Sequence, residues 1–186
     1  MGRPRAGACF PAVAAAHNGR MTQTREPQGG APKGEEPRVV DVEERTTAVV
    51  TGKVPMGELR AFFDAAFREL GERIGRGEIG PAGPALALYR SEPGPVVELE
   101  VGFPVAETVA PAGSVVVGRI PAVRAVTCTH RGDYDALGSS WERLRAWAQE
   151  QRLRLGAPLW EVYVTEPRPG DDPQDMVTEL YWAVEP

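Results

Sequence analysis

The chain has very little cysteine and histidine, and this scarcity excludes several kinds of site. Its 186 residues include two cysteines, Cys9 and Cys128, and two histidines, His17 and His130. Cys9 lies in a segment that we expect to be disordered, so the sequence offers no disulfide framework. We find no cluster of metal-ligating residues, no phosphate-binding loop and no nucleophile–base pair. We therefore expect neither a metal nor a cofactor.

A basic stripe and a long apolar run are also missing. The net charge is −5, and no patch of Lys and Arg provides the face that a nucleic-acid backbone requires. No apolar run approaches the ~18 residues of a membrane span. The start of the chain, with Arg3 and Arg5 before small apolar residues, resembles a secretory signal, but it lacks a leucine-rich centre and Pro11 interrupts it. We expect a cytoplasmic protein without nucleic-acid or membrane partners, and the oligomeric state stays open.

Residues 1–37 are poor in large apolar side chains and rich in Ala, Gly, Pro, Gln and charge. Such a segment cannot bury enough surface to offset the entropy lost on ordering. We predict a disordered extension over residues 1–37 and one domain over residues 38–186. The extension is too broken by Pro and Gly to form a helix-turn-helix domain. Whether Met1 or Met21 is the true start is left open.

A different pattern begins after residue 37, and it occurs twice. Each half contains an extended segment, an amphipathic helix with apolar residues every three or four positions, and two further strands. The first half has strands at 39–54, 84–89 and 96–105 and a helix at 59–74; the second has strands at 122–130, 158–164 and 177–184 and a helix at 137–148.

The two halves also match residue by residue. With Pro84 placed on Pro158, Ala87 falls on Glu161 and Tyr89 on Tyr163. A repeat of this length indicates a duplicated module. We predict an α+β fold of two β-α-β-β units, at about 39–105 and 120–185. The strands form either one continuous antiparallel sheet or two sheets, with both helices behind and a ligand groove at the junction.

Three stretches of the second unit carry a family resemblance. Residues 129–134 (THRGDY) precede a helix with Trp141, Leu144 and Trp147, and Glu161 and Tyr163 form an E-x-Y pair within an apolar strand. Residues 176–184 look like a closing T-E-x-x-x-P strand, although Ala and Val replace the usual final proline pattern. Over residues 39–185 the chain resembles the GyrI-like small-molecule-binding domain, which is also the effector-binding half of AraC-type and MerR-type multidrug regulators.

The resemblance implies a groove for flat, hydrophobic and often cationic compounds, with Glu161 at its base. The candidate ligand-binding residues are Glu161, Tyr163, Tyr134, Trp160, Trp182 and Tyr89. Strand alternation puts Glu161 and Tyr163 on one face and Trp160 on the other. We interpret Trp141 and Trp147 as core residues of their helix. His130 is interpreted as a turn residue and Cys128 as a small buried apolar residue.

Functions of different classes remain open. The first is a binding protein that captures a small hydrophobic, possibly cationic, drug or metabolite. Some stand-alone GyrI-like proteins hydrolyse cyclopropane-bearing DNA-alkylating natural products, so the resemblance also implies a hydrolase with Glu161 as catalytic acid or base. Tetrapyrrole binding is a third hypothesis, because that family shares the duplicated fold. It has little support, since neither His17 nor His130 lies on a convincing helix face.

Overall fold

One antiparallel sheet and two helices make up the part of the chain that the structure describes. The computed structural model describes residues 36–107, 109–166 and 172–186. The strands are β1 (Arg38–Val42), β2 (Arg45–Pro55), β3 (Ala85–Tyr89), β4 (Val96–Pro104), β5 (Val115–Ile120), β6 (Val123–Arg131), β7 (Leu155–Tyr163) and β8 (Val177–Val184), and the helices are α1 (Leu59–Gly75) and α2 (Leu137–Glu150). The predicted disorder of residues 1–37 falls outside the described part, apart from residues 36 and 37. Within that part, no helix combines the length and hydropathy needed to cross a bilayer.

The order of the strands reflects the duplication. It runs β1-β6-β8-β7-β3-β4-β2-β5, so the three strands of the second unit, β6-β8-β7, mirror β3-β4-β2 of the first. At the centre β3 pairs with β7, and Ala87 lies opposite Glu161. Tyr163 lies opposite Ala85 and Tyr89 lies opposite Leu159. A two-fold axis between Ala87 and Glu161 produces this register. The predicted α+β fold is therefore confirmed, and its sheet is continuous.

Strand β5 is absent from the sequence-based prediction, although its sequence VVVGRI is typical of a strand. It pairs with β2 of the first unit, while β1 pairs with β6 of the second. The register continues without an offset from Val42 opposite Val123 to Arg45 opposite Ile120. The segments β1–β2 and β5–β6 thus form one long two-stranded ribbon that joins the two units.

Two apolar clusters cover the two faces of the sheet. The larger lies between the sheet and the helices and includes Phe63, Phe67 and Leu70 of α1 and Leu137 and Leu144 of α2. Their spacing of three, four or seven residues is the apolar stripe of an amphipathic helix. The smaller cluster lies on the opposite face, where the central strands meet the ribbon, and contains Leu86, Leu88, Ile120, Ala125 and Trp160. Because apolar side chains cover both faces of the sheet, a cavity on the helix side must open between the helices, strands and loops.

The entry into α2 is held by buried polar groups. His130 is buried, and its Nε2 lies 3.0 Å from the carbonyl oxygen of Asp133. Since a carbonyl only accepts, Nε2 carries a proton and donates to it. The other ring nitrogen, Nδ1, is 2.8 Å from Oγ of Ser140 on α2. The Asp133 carboxylate accepts from the backbone N–H of Asp135 at 2.9 Å. These contacts fix the start of α2 against β6.

Candidate functional site

A cavity of about 290 Å³ lies on the helix side of the sheet, where the two units meet. The first unit contributes Leu59 from α1, Tyr89 from β3 and Glu92 from the following loop. The second unit contributes more of the wall: Trp141, Glu142 and Arg145 from α2, Leu159 and Glu161 from β7 and Trp182 from β8. The volume is at the low end of the range for small-molecule sites, and its location between modules is typical of them.

The carboxylate of Glu161 lies at the base of this cavity, and the residue is only 1% exposed. Its Oε2 accepts a hydrogen bond from Tyr163 Oη at 2.7 Å and a longer one from Tyr89 Oη at 3.4 Å. Its Oε1 accepts from the indole Nε1 of Trp141 at 3.1 Å. All three donors are neutral. Across the described residues, no Lys, Arg or His forms an ion pair with Glu161.

Burial and hydrogen bonding act in opposite directions on the acidity of this carboxyl group. Burial raises the pKa of Glu161 from 4.5 to about 7. The hydrogen bonds from Tyr163, Trp141 and Tyr89 lower the pKa and so oppose part of the effect of burial. Burial and the nearby carboxylate raise the pKa of both tyrosines well above 10, so their hydroxyls stay protonated donors. Glu161 therefore changes charge near neutral pH.

The duplication explains why two tyrosines reach one carboxylate. Tyr89 and Tyr163 occupy equivalent positions of the two units, and the two-fold axis passes beside Glu161. Both hydroxyls therefore point towards the axis and meet at the same carboxylate. Ala87, the equivalent of Glu161, is small and fully buried. A second glutamate there would place two carboxylates directly opposite each other, and like charges at that separation are destabilising.

Aromatic rings and one ion pair form the walls above Glu161. The rings of Trp141 and Trp182 meet edge to face, with centroids 5.6 Å apart and an interplanar angle of 84°. The guanidinium carbon of Arg145 lies 4.8 Å from the ring centroid of Trp182, within cation–π range. Arg145 also forms an ion pair with Glu92 in the loop after β3. The cavity therefore offers apolar ring faces, a carboxylate that accepts hydrogen bonds only from neutral donors, and the half-exposed guanidinium of Arg145 at its wall.

The structure brings together three of the six candidate residues as cavity wall: Glu161, Tyr89 and Trp182. Tyr163 is a supporting residue, since it bonds Glu161 without lining the cavity. Tyr134 lies behind Tyr163, with ring centroids 5.8 Å apart, and is 5% exposed. Among the described residues its hydroxyl has no hydrogen-bond partner. We assign these two tyrosines to the packing beneath the site.

The expected groove position of Trp160 is corrected by the structure. Its ring lies in the smaller cluster, on the opposite face of the sheet from Glu161. It stacks on Tyr181, with centroids 5.0 Å apart and planes only 2° from parallel. The reason is strand alternation: neighbouring residues of β7 point to opposite faces, so Trp160 and Glu161 cannot share a cavity.

Three residues of the site were not recognised from the sequence. Trp141, interpreted as core, does pack against the larger cluster, but it also lines the cavity and donates a hydrogen bond to Glu161. Arg145 and Glu92 were not singled out. A partial signal existed, because Trp141 and Arg145 are four residues apart and so share one face of a helix. Trp147 packs against the larger core, as expected.

The structure offers no support for a metal or haem ligand in the part of the chain that it describes. No group of three or more His, Cys, Asp and Glu side chains in that part could hold a metal ion. His130 does not line the cavity, and both its ring nitrogens are engaged by Ser140 and Asp133. Cys128 is a free, buried cysteine. His17 lies outside the described residues.

Comparisons with solved structures show where this fold occurs. EcmrR in a complex with DNA matches with a TM-score of 0.68 and 19% identity, covering 81% of this chain and 57% of EcmrR. The chain thus spans somewhat more than half of the length of EcmrR. SAV2435 bound to tetraphenylphosphonium matches at 0.61 and 14% identity, covering 81% of this chain and 94% of SAV2435. A hydrolase from Listeria innocua matches at 0.54 and 18% identity, covering 83% and 94%.

At these identities the structural matches show the shared fold alone. No curated protein sequence matches the chain. The family comparison covers almost the entire described part: residues 35–185 match GyrI-like, the GyrI-like small molecule binding domain. The matched span includes both β-α-β-β units, the ribbon that joins them and every residue that lines the cavity. The chain therefore belongs to the GyrI-like small molecule binding domain family.

Proposed function

We propose that this protein captures flat, hydrophobic cations of drug or metabolite size in the cavity between its two units. One observation carries the proposal: the Glu161 carboxylate is buried at the base of an aromatic cavity and bonded only by neutral donors. An ionised carboxylate in such a place is costly unless a cation compensates it. A bound cation supplies that compensation.

The walls fit the same kind of ligand. Trp141, Trp182 and Tyr89 offer aromatic surface, and an aromatic face attracts a cation as well as an apolar ring. Leu59 and Leu159 add apolar surface that favours a hydrophobic body over a small hydrated ion. The ligand class that fits is therefore a delocalised or shielded cation on a ring system.

The comparisons support this proposal at the level of the fold. The family is described as a small molecule binding domain. SAV2435, which has the same fold, is bound to tetraphenylphosphonium, a hydrophobic cation. We propose that this chain likewise binds a hydrophobic cation that carries aromatic rings.

Titration of the purified protein with tetraphenylphosphonium tests the proposal, with tryptophan fluorescence and calorimetry as readouts. Triphenylphosphine oxide serves as a neutral ligand of similar ring content. We expect Glu161→Gln to weaken binding of the cation at least tenfold at pH 8 and to change binding of the neutral compound little. Equal losses for both compounds, or no loss for either, would contradict the role of the carboxylate.

Glu179 provides a matched control for this experiment. Its carboxylate also accepts a hydrogen bond from a tyrosine, Tyr181, at 2.7 Å. Glu179 lies opposite Val162, on the face of the smaller cluster, and it does not line the cavity. Glu179→Gln therefore removes a similar charge beside a tyrosine hydroxyl without touching the cavity. We expect it to bind both compounds like the wild type.

A second function, hydrolysis of cyclopropane-bearing DNA-alkylating natural products, is favoured by one property of Glu161. A carboxyl group with a pKa of about 7 is suited to both give and take a proton near neutral pH. The fold of the Listeria innocua hydrolase is consistent with such an activity. Ionised Glu161 would take a proton from water while the water oxygen bonds to a cyclopropane carbon. The ring bond breaks, and its electron pair passes through the conjugated system to the carbonyl oxygen. This oxygen takes up a proton from solvent and becomes a phenol hydroxyl, while Glu161 returns its proton to solvent.

Product analysis separates the two functions. Incubation with a cyclopropane-bearing alkylator yields a product one water heavier if the protein is a hydrolase, and Glu161→Gln should slow its formation at least ~100-fold. If the protein only binds, the alkylator is recovered unchanged or reacts no faster than in buffer.

A further inference from the structure

The cavity already contains a cation, and it belongs to the protein. The Arg145 guanidinium lies over the ring of Trp182 at 4.8 Å. Trp182 is 5% exposed and forms part of the cavity wall. The face of Trp182 is therefore covered by a positive group of the chain itself. A ligand that stacks on this ring has to displace Arg145.

The same guanidinium also connects the two units across the mouth of the cavity. Arg145 is on α2 of the second unit, and its partner Glu92 is in the loop after β3 of the first. Both side chains are exposed by about half, at 41% and 52%. An ion pair this exposed contributes little to stability and opens readily. Arg145 can therefore leave Trp182 without unfolding any element.

The charges around the cavity show what displacement of Arg145 would leave. Three carboxylates line it, from Glu92, Glu142 and Glu161, against the single guanidinium of Arg145. Once Arg145 moves into solvent, Glu92 has no ion-pair partner among the described residues. The ring of Trp182 and the carboxylate of Glu92 then form an empty site for a second positive group. This site is separated from Glu161 by Trp141, whose ring meets Trp182 and whose Nε1 bonds Glu161.

We propose that the face of Trp182, together with Glu92, is a second cation subsite, and that Arg145 occupies it until a ligand replaces it. The inference rests on the proposed binding function and names its ligand more narrowly: an elongated aromatic dication. One positive group lies at Glu161 and the other over Trp182. Arg145 is then a specificity-determining residue, because a ligand with a single charge at Glu161 gains nothing by displacing it.

A matched pair of dyes tests the subsite. The dication is 4′,6-diamidino-2-phenylindole, and the monocation is the same ring system without the 4′-amidine. Arg145→Met keeps the apolar stem of the side chain and removes the charge. We expect the dication to bind about three- to thirtyfold more tightly to this variant, the equivalent of one cation–π contact. The monocation should gain clearly less.

Two further variants make the result specific. Glu92→Gln in the Arg145→Met background should weaken the dication more than the monocation, because Glu92 is then the partner of the second positive group. Arg154→Met is the control: Arg154 is 81% exposed and pairs with Glu185, and neither residue lines the cavity. It should leave both dyes unaffected. Equal gains for both dyes in Arg145→Met, or no gain for the dication, would overturn the subsite.

The outcome also separates this inference from the function on which it rests. If Glu161→Gln selectively weakens the monocation but Arg145→Met changes nothing, the cation-binding function stands and the subsite does not. If Arg145→Met strengthens the dication while Glu161→Gln has no effect on either dye, the subsite stands and the role of Glu161 does not. Absence of binding by every variant would overturn both.

Discussion

Replacing Glu161 by glutamine should make the free protein more stable at alkaline pH while it weakens binding of cations. The change keeps the size of the side chain and an oxygen that can accept from Tyr163. It removes a negative charge from a residue that is 1% exposed and bonded only by neutral donors. Stability and affinity should therefore change in opposite directions.

The magnitude follows from the pKa of the buried carboxyl group. In the folded protein the pKa of Glu161 is raised by burial from 4.5 to about 7. Between these values the unfolded chain loses the proton while the folded protein keeps it. The free energy of unfolding of the wild type therefore falls as pH rises from 4.5 to 7 and levels off above. The full loss is about 3 kcal/mol. The glutamine variant has no such loss, so we expect it to be about 1–3 kcal/mol more stable at pH 8.5.

Urea denaturation at pH 4.5 and pH 8.5 measures this difference directly. The wild type and Glu161→Gln should unfold at similar urea concentrations at pH 4.5, and the variant should unfold at a clearly higher concentration at pH 8.5. Glu179→Gln, outside the cavity, is the matched control and should unfold at pH 8.5 at a urea concentration close to that of the wild type. If Glu161→Gln is less stable than the wild type at pH 8.5, the ionised carboxylate is compensated within the folded protein and the argument for a missing cation fails.

Four further predictions concern pH, the indole donor, the chain terminus and nucleic acid. Affinity for tetraphenylphosphonium should rise about tenfold from pH 6 to pH 8, as Glu161 ionises, and affinity for triphenylphosphine oxide should stay constant in the same titrations. Trp141→Phe removes the Nε1 donor, so the midpoint of this pH dependence should move upward, and an unchanged midpoint would contradict the bond. Removal of residues 1–35 should leave the melting temperature and cation affinity unchanged, and a large loss of either would show that the segment is docked. Duplex DNA should bind no more tightly than nonspecifically at physiological salt, as expected from the net charge of −5; salt-sensitive nanomolar binding would refute this.

Periodicity and internal repetition were enough to predict most of the fold. Apolar residues every three or four positions from Leu59 and from Leu137 correspond to α1 and α2. The alignment of Pro84 with Pro158 also predicted which residues are equivalent, and the central pairing of Ala87 with Glu161 agrees with it. These features are local or repeated, so the chain displays them before it folds. Strand β5 is not part of this prediction although its sequence is strand-like, because the repeat pattern assigns three strands to each unit and β5 is an additional strand beside β2.

The candidate site was predictable only in part. Alternation along β7 put Glu161 and Trp160 on opposite faces, so the sequence itself argued against a shared groove. The family resemblance singled out Glu161, but its pKa depends on burial and on donors from three separate elements, β3, α2 and β7. In the unfolded chain Glu161 is not buried and these donors are not held beside it.

The sequence by itself determined the composition and the duplicated pattern. It also determined which residues of each helix and strand share a face, because that depends on neighbours a few positions apart. The contacts of Trp141 with Glu161, and of Arg145 with Glu92 and Trp182, were decided by the tertiary structure. Arg145 and Glu92 are 53 residues apart in the chain. They meet because the side chain of Arg145 on α2 reaches the loop after β3 across the boundary between the units, and the position of α2 depends on the whole core.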